Sequence, residues 1–81
     1  MIQLYMREDC PYCRKVERAT LEMGLSAGKD YEIINAAPFT PGRDTVLQVG
    51  GKAMVPFLID GDFSMYESDD IIAYLRKKHQ G

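Results

Sequence analysis

Two cysteines, the only ones in the chain, stand close together in the stretch MREDCPYCRK at residues 6 to 15. Cys10 and Cys13 are separated by Pro11 and Tyr12. Two thiols at this spacing can supply half of a zinc site, form a static disulfide, or open and close a disulfide as their reaction. The rest of the sequence indicates which of these three roles is expected.

A zinc site and a static disulfide both find little support elsewhere in the sequence. Tetrahedral zinc needs four ligands, and the one further soft ligand is His79, at the far end of the last predicted helix. No signal peptide is recognisable at the start of the chain, so we expect a cytoplasmic protein, in which a persistent disulfide is uncommon. A reactive thiol pair is therefore the favoured interpretation, ahead of inert buried thiols.

The elements that must position this pair follow from the hydrophobic pattern. The sequence predicts strands at residues 2–6, 31–34, 57–59 and 63–66, and helices that begin at Pro11, at Pro41 or Gly42, and at a cap formed by Ser68. In the second helix, Val46, Leu47 and Val49 are expected to face inward. The order β-α-β-α-β-β-α implies a parallel strand pair joined by a crossover helix, followed by an antiparallel hairpin.

We therefore expect an α/β domain over residues 1–81, with three helices on a four-stranded mixed sheet. The cysteines lie where the first strand meets the first helix, at the carboxyl end of a strand, where open α/β sheets place their sites. Because proline favours the first helical position, Cys10 is expected to be the N-cap, with its sulfur facing the free amides of Tyr12 and Cys13. These amides and the helix dipole favour the thiolate.

Different roles follow for the two thiols. Cys13 lies nearly one turn beyond Cys10 on the same helix face, where it can attack a mixed disulfide formed at Cys10. We therefore predict Cys10 as the nucleophile and Cys13 as the resolving thiol. Arg7 is a cation that favours the Cys10 thiolate, whereas Glu8 and Asp9 oppose it.

Composition argues against nucleic acid and membranes as partners. Ten basic and twelve acidic residues give a formal net charge of −2, and the longest apolar run, residues 54–59, is too short to span a bilayer. Apolar residues make up 46% of the chain and charged residues 27%, as is usual for a globular domain. We expect a monomer.

With Cys10-Pro11-Tyr12-Cys13 at a helix start, the chain resembles a glutaredoxin, a small protein of thioredoxin fold, over nearly its whole length. GGKAMVPFLID, residues 50 to 60, is similar to the segment in which a Val-Pro pair starts that family's third strand. YESDDIIAYL, residues 66 to 75, is similar to the family's glutathione-binding corner, and its Glu-Ser also resembles the amino-terminal domain of glutathione transferases. Arg7 stands three residues before Cys10, where glutaredoxins usually have Lys or Arg.

The resemblance implies a glutathione site. A cis bond at Val55-Pro56, where the residues alone predict only a strand start, would bring the Val55 backbone beside Cys10 to pair with the tripeptide. Ser68, otherwise a plain helix cap, would bind the γ-glutamyl carboxylate together with the helix start, and Asp69 would bind the ammonium. The predicted catalytic residues are Cys10 and Cys13, and the predicted glutathione-binding residues are Arg7, Tyr12, Arg43, Val55, Pro56, Glu67, Ser68 and Asp69.

The function implied by the resemblance is glutathione-dependent reduction of protein disulfides and of protein-glutathione mixed disulfides. Glutathione would be a co-substrate, with no permanently bound cofactor. The alternatives are an electron donor fed by thioredoxin reductase and a glutathione-ligated iron–sulfur carrier. A glutathione transferase is expected less, because the sequence ends where that family's helical second domain would begin. Ala53 and Met54 depart from the glutaredoxin pattern, which more often has a basic residue and Thr there.

Overall fold

Seven elements follow one another in the predicted order in the computed structural model, which describes residues 1–80. The strands are β1 (Ile2–Met6), β2 (Tyr31–Asn35), β3 (Phe57–Asp60) and β4 (Phe63–Met65). The helices are α1 (Pro11–Glu22), α2 (Pro41–Gly50) and α3 (Ser68–Gln80). The prediction matches β1 and the start of α1, and its other bounds differ from these by at most one residue, as is usual at element ends.

The strands form one mixed sheet in the order β2-β1-β3-β4. β1 pairs with β2 in parallel and with β3 in antiparallel orientation, and β4 completes the hairpin that turns at Gly61. The predicted α/β architecture, a thioredoxin fold, is confirmed. The end of β1 points into the loop that carries the cysteines, so the strand at the centre of the sheet positions them.

Two apolar cores cover the two faces of β1, because successive side chains of a strand point to opposite sides. Leu4 and Met6 face α1 and α3, whereas Tyr5 faces α2. The larger core contains Leu4, Met6, Cys13, Val16, Leu25, Tyr31, Leu58, Ile71 and Leu75, and the smaller one contains Tyr5, Ala36, Val46 and Phe57. Cys13 is therefore part of the packing between α1 and the sheet.

The inward face of α2 differs from the prediction. Val46 is fully buried, but Leu47 and Val49 are 51% and 52% exposed. The face that meets the sheet is the i, i+4 row of Gly42, Val46 and Gly50, where a Cβ on either glycine would collide with Asn35 or Tyr66. Close approach through glycines lets α2 pack on a narrow face, a pattern that a search for apolar residues does not detect.

The start of α3 also differs by one residue from the prediction. The Glu67 carbonyl accepts the first helical hydrogen bond, from the Ile71 amide at 2.9 Å, so Glu67 occupies the cap position and Ser68 is the first helical residue. Within residues 1–80, no helix has the length and apolar character needed to cross a membrane.

Candidate thiol site

Cys10 caps α1 in the predicted manner. Its backbone is extended, with φ −98° and ψ 116°, and Pro11 follows in the first turn. The Cys13 amide donates a hydrogen bond to Cys10 Sγ at 3.3 Å. The sulfur is half-buried and lies 3.9 Å from the carbonyl oxygen of Val55, in the loop before β3. The cap therefore presents a partly accessible sulfur to a backbone segment from a distant part of the sequence.

Cys13 lies behind this sulfur and is completely buried. Burial, followed by a hydrogen bond to Cys10, raises the pKa of the Cys13 thiol to about 12. Cys13 is therefore protonated at neutral pH. Both cysteines are free thiols in the structure. The described part of the chain holds no group of three His, Cys, Asp or Glu side chains placed to bind a metal ion.

A groove of about 310 Å³, at the lower end of the size range of small-molecule sites, is lined by Tyr12 and by Val55, whose carbonyl oxygen lies 3.9 Å from Cys10 Sγ. It is built by α1, the loop before β3, and the start of α3. The Val55–Pro56 peptide bond is cis, as the resemblance implied. Six of the predicted glutathione-binding residues line the groove, namely Tyr12, Val55, Pro56, Glu67, Ser68 and Asp69.

The α3 end of the groove combines an acidic helix start with unusual backbone. Glu67 has a φ of +74°, a left-handed conformation that costs free energy for a residue with a side chain. Ser68 is buried, and Asp69 and Asp70 follow in the first turn. The first-turn amides of a helix have no partner within it and attract anions. This corner therefore offers both amide donors and a carboxylate.

Lys15 is a groove residue that the sequence did not single out. Its ammonium forms an ion pair with Asp69 Oδ1 at 2.5 Å, which joins α1 to α3 across the groove. The only available signal was helical spacing, since Lys15 follows Tyr12 by three residues and so lies on the same side of α1.

Tyr66 also lines the groove, and the sequence predicted it as a strand residue and as the first residue of the YESDDIIAYL stretch. Its hydroxyl donates to the Lys52 carbonyl at 2.6 Å and accepts from the Lys52 amide at 3.0 Å. Its ring packs on Phe57, with the ring centres 4.6 Å apart. Tyr66 thus ties the loop before β3 to the segment before α3. Nothing in the sequence marks this pairing.

The two predicted arginines are engaged with other parts of the protein. Arg43 donates from Nε to the Ala36 carbonyl at 2.9 Å and from Nη1 to the Ala53 carbonyl at 3.1 Å, which holds the loop before β3 in place. Arg7 makes a two-bond pair with Asp9, at 2.7 and 3.0 Å. Their contact with glutathione stays a prediction.

Arg7 belongs to a second, larger groove of about 820 Å³, lined also by Glu8, Asp9 and Glu17. Hydrogen bonding from Arg7 holds the pKa of Asp9 below its usual value. The negative charge of Asp9, which directly precedes Cys10 in the sequence, is therefore neutralised by Arg7. This pairing accounts for an acid that would otherwise oppose a thiolate.

Comparison with known proteins agrees with this geometry. The sequence profile of the family described as glutathione S-transferase, N-terminal domain, matches residues 4–81. Among curated protein sequences, none matches the chain significantly.

Among solved structures, the chain is similar to glutathione transferases. Human glutathione-S-transferase T1-1 in its apo form is similar at 27% identity and a TM-score of 0.80, over 99% of this chain and 33% of that one. Glutathione transferase E6 from Drosophila melanogaster is 26% identical, with a TM-score of 0.77 over 98% and 35%. A glutathione S-transferase-I bound with lactoylglutathione is 27% identical, with a TM-score of 0.76 over 98% and 37%. The chain thus spans about a third of the length of these structures.

Proposed function

The chain belongs to the glutathione S-transferase N-terminal domain family, and on that premise we propose that it is a glutathione-dependent thiol-disulfide oxidoreductase acting through Cys10 and Cys13. One observation carries the proposal. A half-buried sulfur caps a helix beside a groove, and a second, fully buried thiol lies one turn behind it. Conjugation of glutathione to another molecule does not need the second thiol, whereas release of a substrate protein through a Cys10–Cys13 disulfide does.

Glutathione would bind along the groove next to Cys10. The Val55 backbone would pair with the cysteinyl part of the tripeptide as an added strand does. The γ-glutamyl carboxylate would bind at the α3 amides and Ser68, and the ammonium at Asp69. Arg7 and Arg43 are the proposed partners of the glycine carboxylate. Because each already holds oxygens of the protein, either arginine must exchange a partner to bind it.

The reaction begins when the Cys10 thiolate attacks a disulfide sulfur, which forms a mixed disulfide and releases the other sulfur as a thiolate. If glutathione is the group left on Cys10, the thiolate of a second glutathione attacks that group's sulfur. This step forms glutathione disulfide and regenerates the Cys10 thiolate.

If a substrate protein is the group left on Cys10, Cys13 attacks the Cys10 sulfur and frees the reduced substrate. Two glutathione molecules then reduce the Cys10–Cys13 disulfide. Cys13 must lose its proton for this step, and burial of the thiol opposes that loss.

A second candidate is the transfer of glutathione to an electrophile. It is favoured by the family membership and by similarity to transferases at 26–27% identity. In that reaction Cys10 would not be consumed, and the groove would hold the glutathione sulfur near the start of α1.

The two candidates are separated by measuring both reactions with one preparation. Reduction of a glutathionylated peptide is followed with glutathione, glutathione reductase and NADPH, and conjugation is followed with chlorodinitrobenzene. We expect rapid reduction that is absent in Cys10→Ser. Conjugation without disulfide reduction would replace this proposal by the second candidate. Reduction only with thioredoxin reductase in place of glutathione would contradict both.

A further inference from the structure

The ion pair between Lys15 and Asp69 lies inside the groove rather than beside it, since both residues line it. The Lys15 ammonium meets Asp69 Oδ1 at 2.5 Å, and both side chains are largely exposed, at 52% and 78%. A side-chain ammonium therefore occupies a carboxylate oxygen that a bound ligand could also reach.

We propose that Lys15 is a built-in competitor for the ammonium subsite, and that it sets how strongly the groove prefers a ligand with a free amine. This inference rests on the proposed function, in which Asp69 binds the γ-glutamyl ammonium of glutathione. The two ammonium groups are chemically alike and need the same acceptor. Lys15 holds Oδ1 of the carboxylate, so an amine that binds at Oδ2 shares one negative charge with a second cation until Lys15 moves away.

The physical properties of the pair suit such an exchange. Exposed ion pairs contribute little net free energy, because water solvates both charges well when they separate. The lysine side chain is long and flexible, so it can leave Asp69 without movement of α1. If both cations stayed at one carboxylate, they would lie within a few ångströms and repel each other. Competition is therefore expected to be weak but measurable.

A different role for Lys15 makes a different prediction. If Lys15 instead turned to bind a glutathione carboxylate, its loss would weaken every ligand that carries this carboxylate, with or without the amine. Competition for Asp69 acts only on ligands that have the amine. The informative quantity is therefore the ratio of two dissociation constants rather than either constant alone.

The experiment compares S-methylglutathione with S-methyl glutaryl-cysteinylglycine, which has hydrogen in place of the amine and keeps both carboxylates. Methylated sulfur prevents disulfide exchange, so calorimetric titration of the reduced protein reports binding only. The variants are Lys15→Gln and, as a matched loss of one positive charge, Lys29→Gln. Lys29 is exposed in the turn before β2, at the opposite end of the sheet.

We expect Lys15→Gln to raise the preference for the amine-bearing ligand about two- to fivefold over wild type, the range of an exposed ion pair, and Lys29→Gln to leave it unchanged. In an Asp69→Asn background, the Lys15 substitution should no longer change the preference. An unchanged or smaller preference in Lys15→Gln, with both ligands still bound, overturns the competitor role alone. If wild type binds neither ligand at millimolar concentration, the glutathione site itself is wrong, and the proposed function fails with it.

Discussion

The starts of α1 and α2 are built alike, yet only one of them offers a reactive group. Each helix begins with a proline after an extended capping residue, Cys10 at φ −98° and Thr40 at φ −112°. In each, the capping side chain accepts the amide hydrogen of the residue three positions on, at 3.3 Å. The backbone geometry that caps a helix is thus the same at both places.

The two caps differ in what else holds the capping atom. The Thr40 hydroxyl is also bonded to the Ala37 carbonyl at 2.7 Å, so its donor and its acceptor are both used within the loop. The second contact of Cys10 Sγ is the long one of 3.9 Å to Val55. A fully bonded hydroxyl stabilises the fold, whereas a loosely held sulfur keeps its capacity to react. Helix capping alone therefore does not identify a site.

The largest effect is expected from giving α1 the kind of cap that α2 has. In Cys10→Ser, disulfide exchange should fall by about 10³-fold or more, because no other accessible thiol replaces the nucleophile among the described residues. The free energy of unfolding should change by less than about 0.5 kcal/mol, because serine is a good N-cap. Reduction of a glutathionylated peptide and urea denaturation measure the two quantities. Residual activity near that of wild type would show that Cys10 is not the nucleophile.

The second prediction concerns the thiol behind the cap. Cys13→Ser should lower glutathione-dependent release from a mixed disulfide by less than about tenfold, because that route needs only Cys10. Any reduction that proceeds through a Cys10–Cys13 disulfide should be lost. Both are measured with the same preparation, and Cys10→Ser serves as the inactive control. If Cys13→Ser is as inactive as Cys10→Ser in both reactions, the assigned roles are wrong.

The sequence alone predicts the cap of α1 correctly, but it does not predict which face of α2 meets the sheet. A proline between two cysteines after a strand predicts the capped sulfur from local preferences alone. The face of α2 depends on Gly42 and Gly50, whose role is the absence of a side chain against Asn35 and Tyr66. That is a property of a distant contact, which local patterns do not contain.

The groove could be predicted only in part, because short motifs mark some of its residues and long-range contacts define the others. Val55 and Ser68 line the groove, and each belongs to a short stretch that is similar to a glutaredoxin segment. The resemblance therefore predicted these two parts of the groove. Lys15 acts through a long-range ion pair with Asp69, and Tyr66 through hydrogen bonds to Lys52 and packing on Phe57. Lys15 belongs to no motif, and the motif that begins at Tyr66 gives no sign of Lys52, so both partners could be found only in three dimensions.

Cys13 should also make the stability of the reduced protein depend on pH. Its folded-state pKa of about 12 exceeds the ordinary thiol value of 9.0, so the folded state keeps a proton that the unfolded state loses above pH 9. The contribution is complete below pH 9 and falls as pH rises toward 12, by at most about 1.4 kcal/mol per pH unit.

Urea denaturation under reducing conditions at pH 8.5, 9.5 and 10.5 tests this dependence. In a Cys10→Ser background, which removes the neighbouring thiol that interacts with Cys13, the protein with Cys13 should lose its stability advantage over the Cys13→Ala variant as pH rises. A constant difference between the two proteins would mean that the Cys13 thiol ionises as easily in the folded as in the unfolded state.

A smaller effect on stability, and none on chemistry, is expected at the α2 cap. Thr40→Ala removes the bond to the Arg43 amide and should lower the free energy of unfolding by about 1 kcal/mol. Thr40→Ser retains the hydroxyl and is the matched control. Activity per folded molecule should match wild type in both variants. A loss of activity larger than the loss of folded protein would mean that the α2 cap, in addition to Arg43, contributes to the site.

The smallest effect should come from the loops that lead into the two caps. Before Cys10 the loop is charged, and Arg7 and Asp9 neutralise each other there, each at least one-third exposed. Asp9→Asn frees the Arg7 cation near the sulfur. It should speed alkylation of Cys10 by iodoacetamide by less than about threefold at low salt and by less still at 1 M salt, because exposed charges are screened.

Glu8→Gln is the control for this last comparison, since it removes the same charge and leaves Arg7 paired with Asp9. Mass spectrometry of the labelled protein gives the rate at Cys10. A larger increase in Asp9→Asn than in Glu8→Gln means that the pair itself restrains the cation. Equal alkylation rates in the two variants would mean that only the net charge of the loop before Cys10 affects the sulfur. The pairing of Arg7 with Asp9 would then have no effect of its own on the reactivity of Cys10.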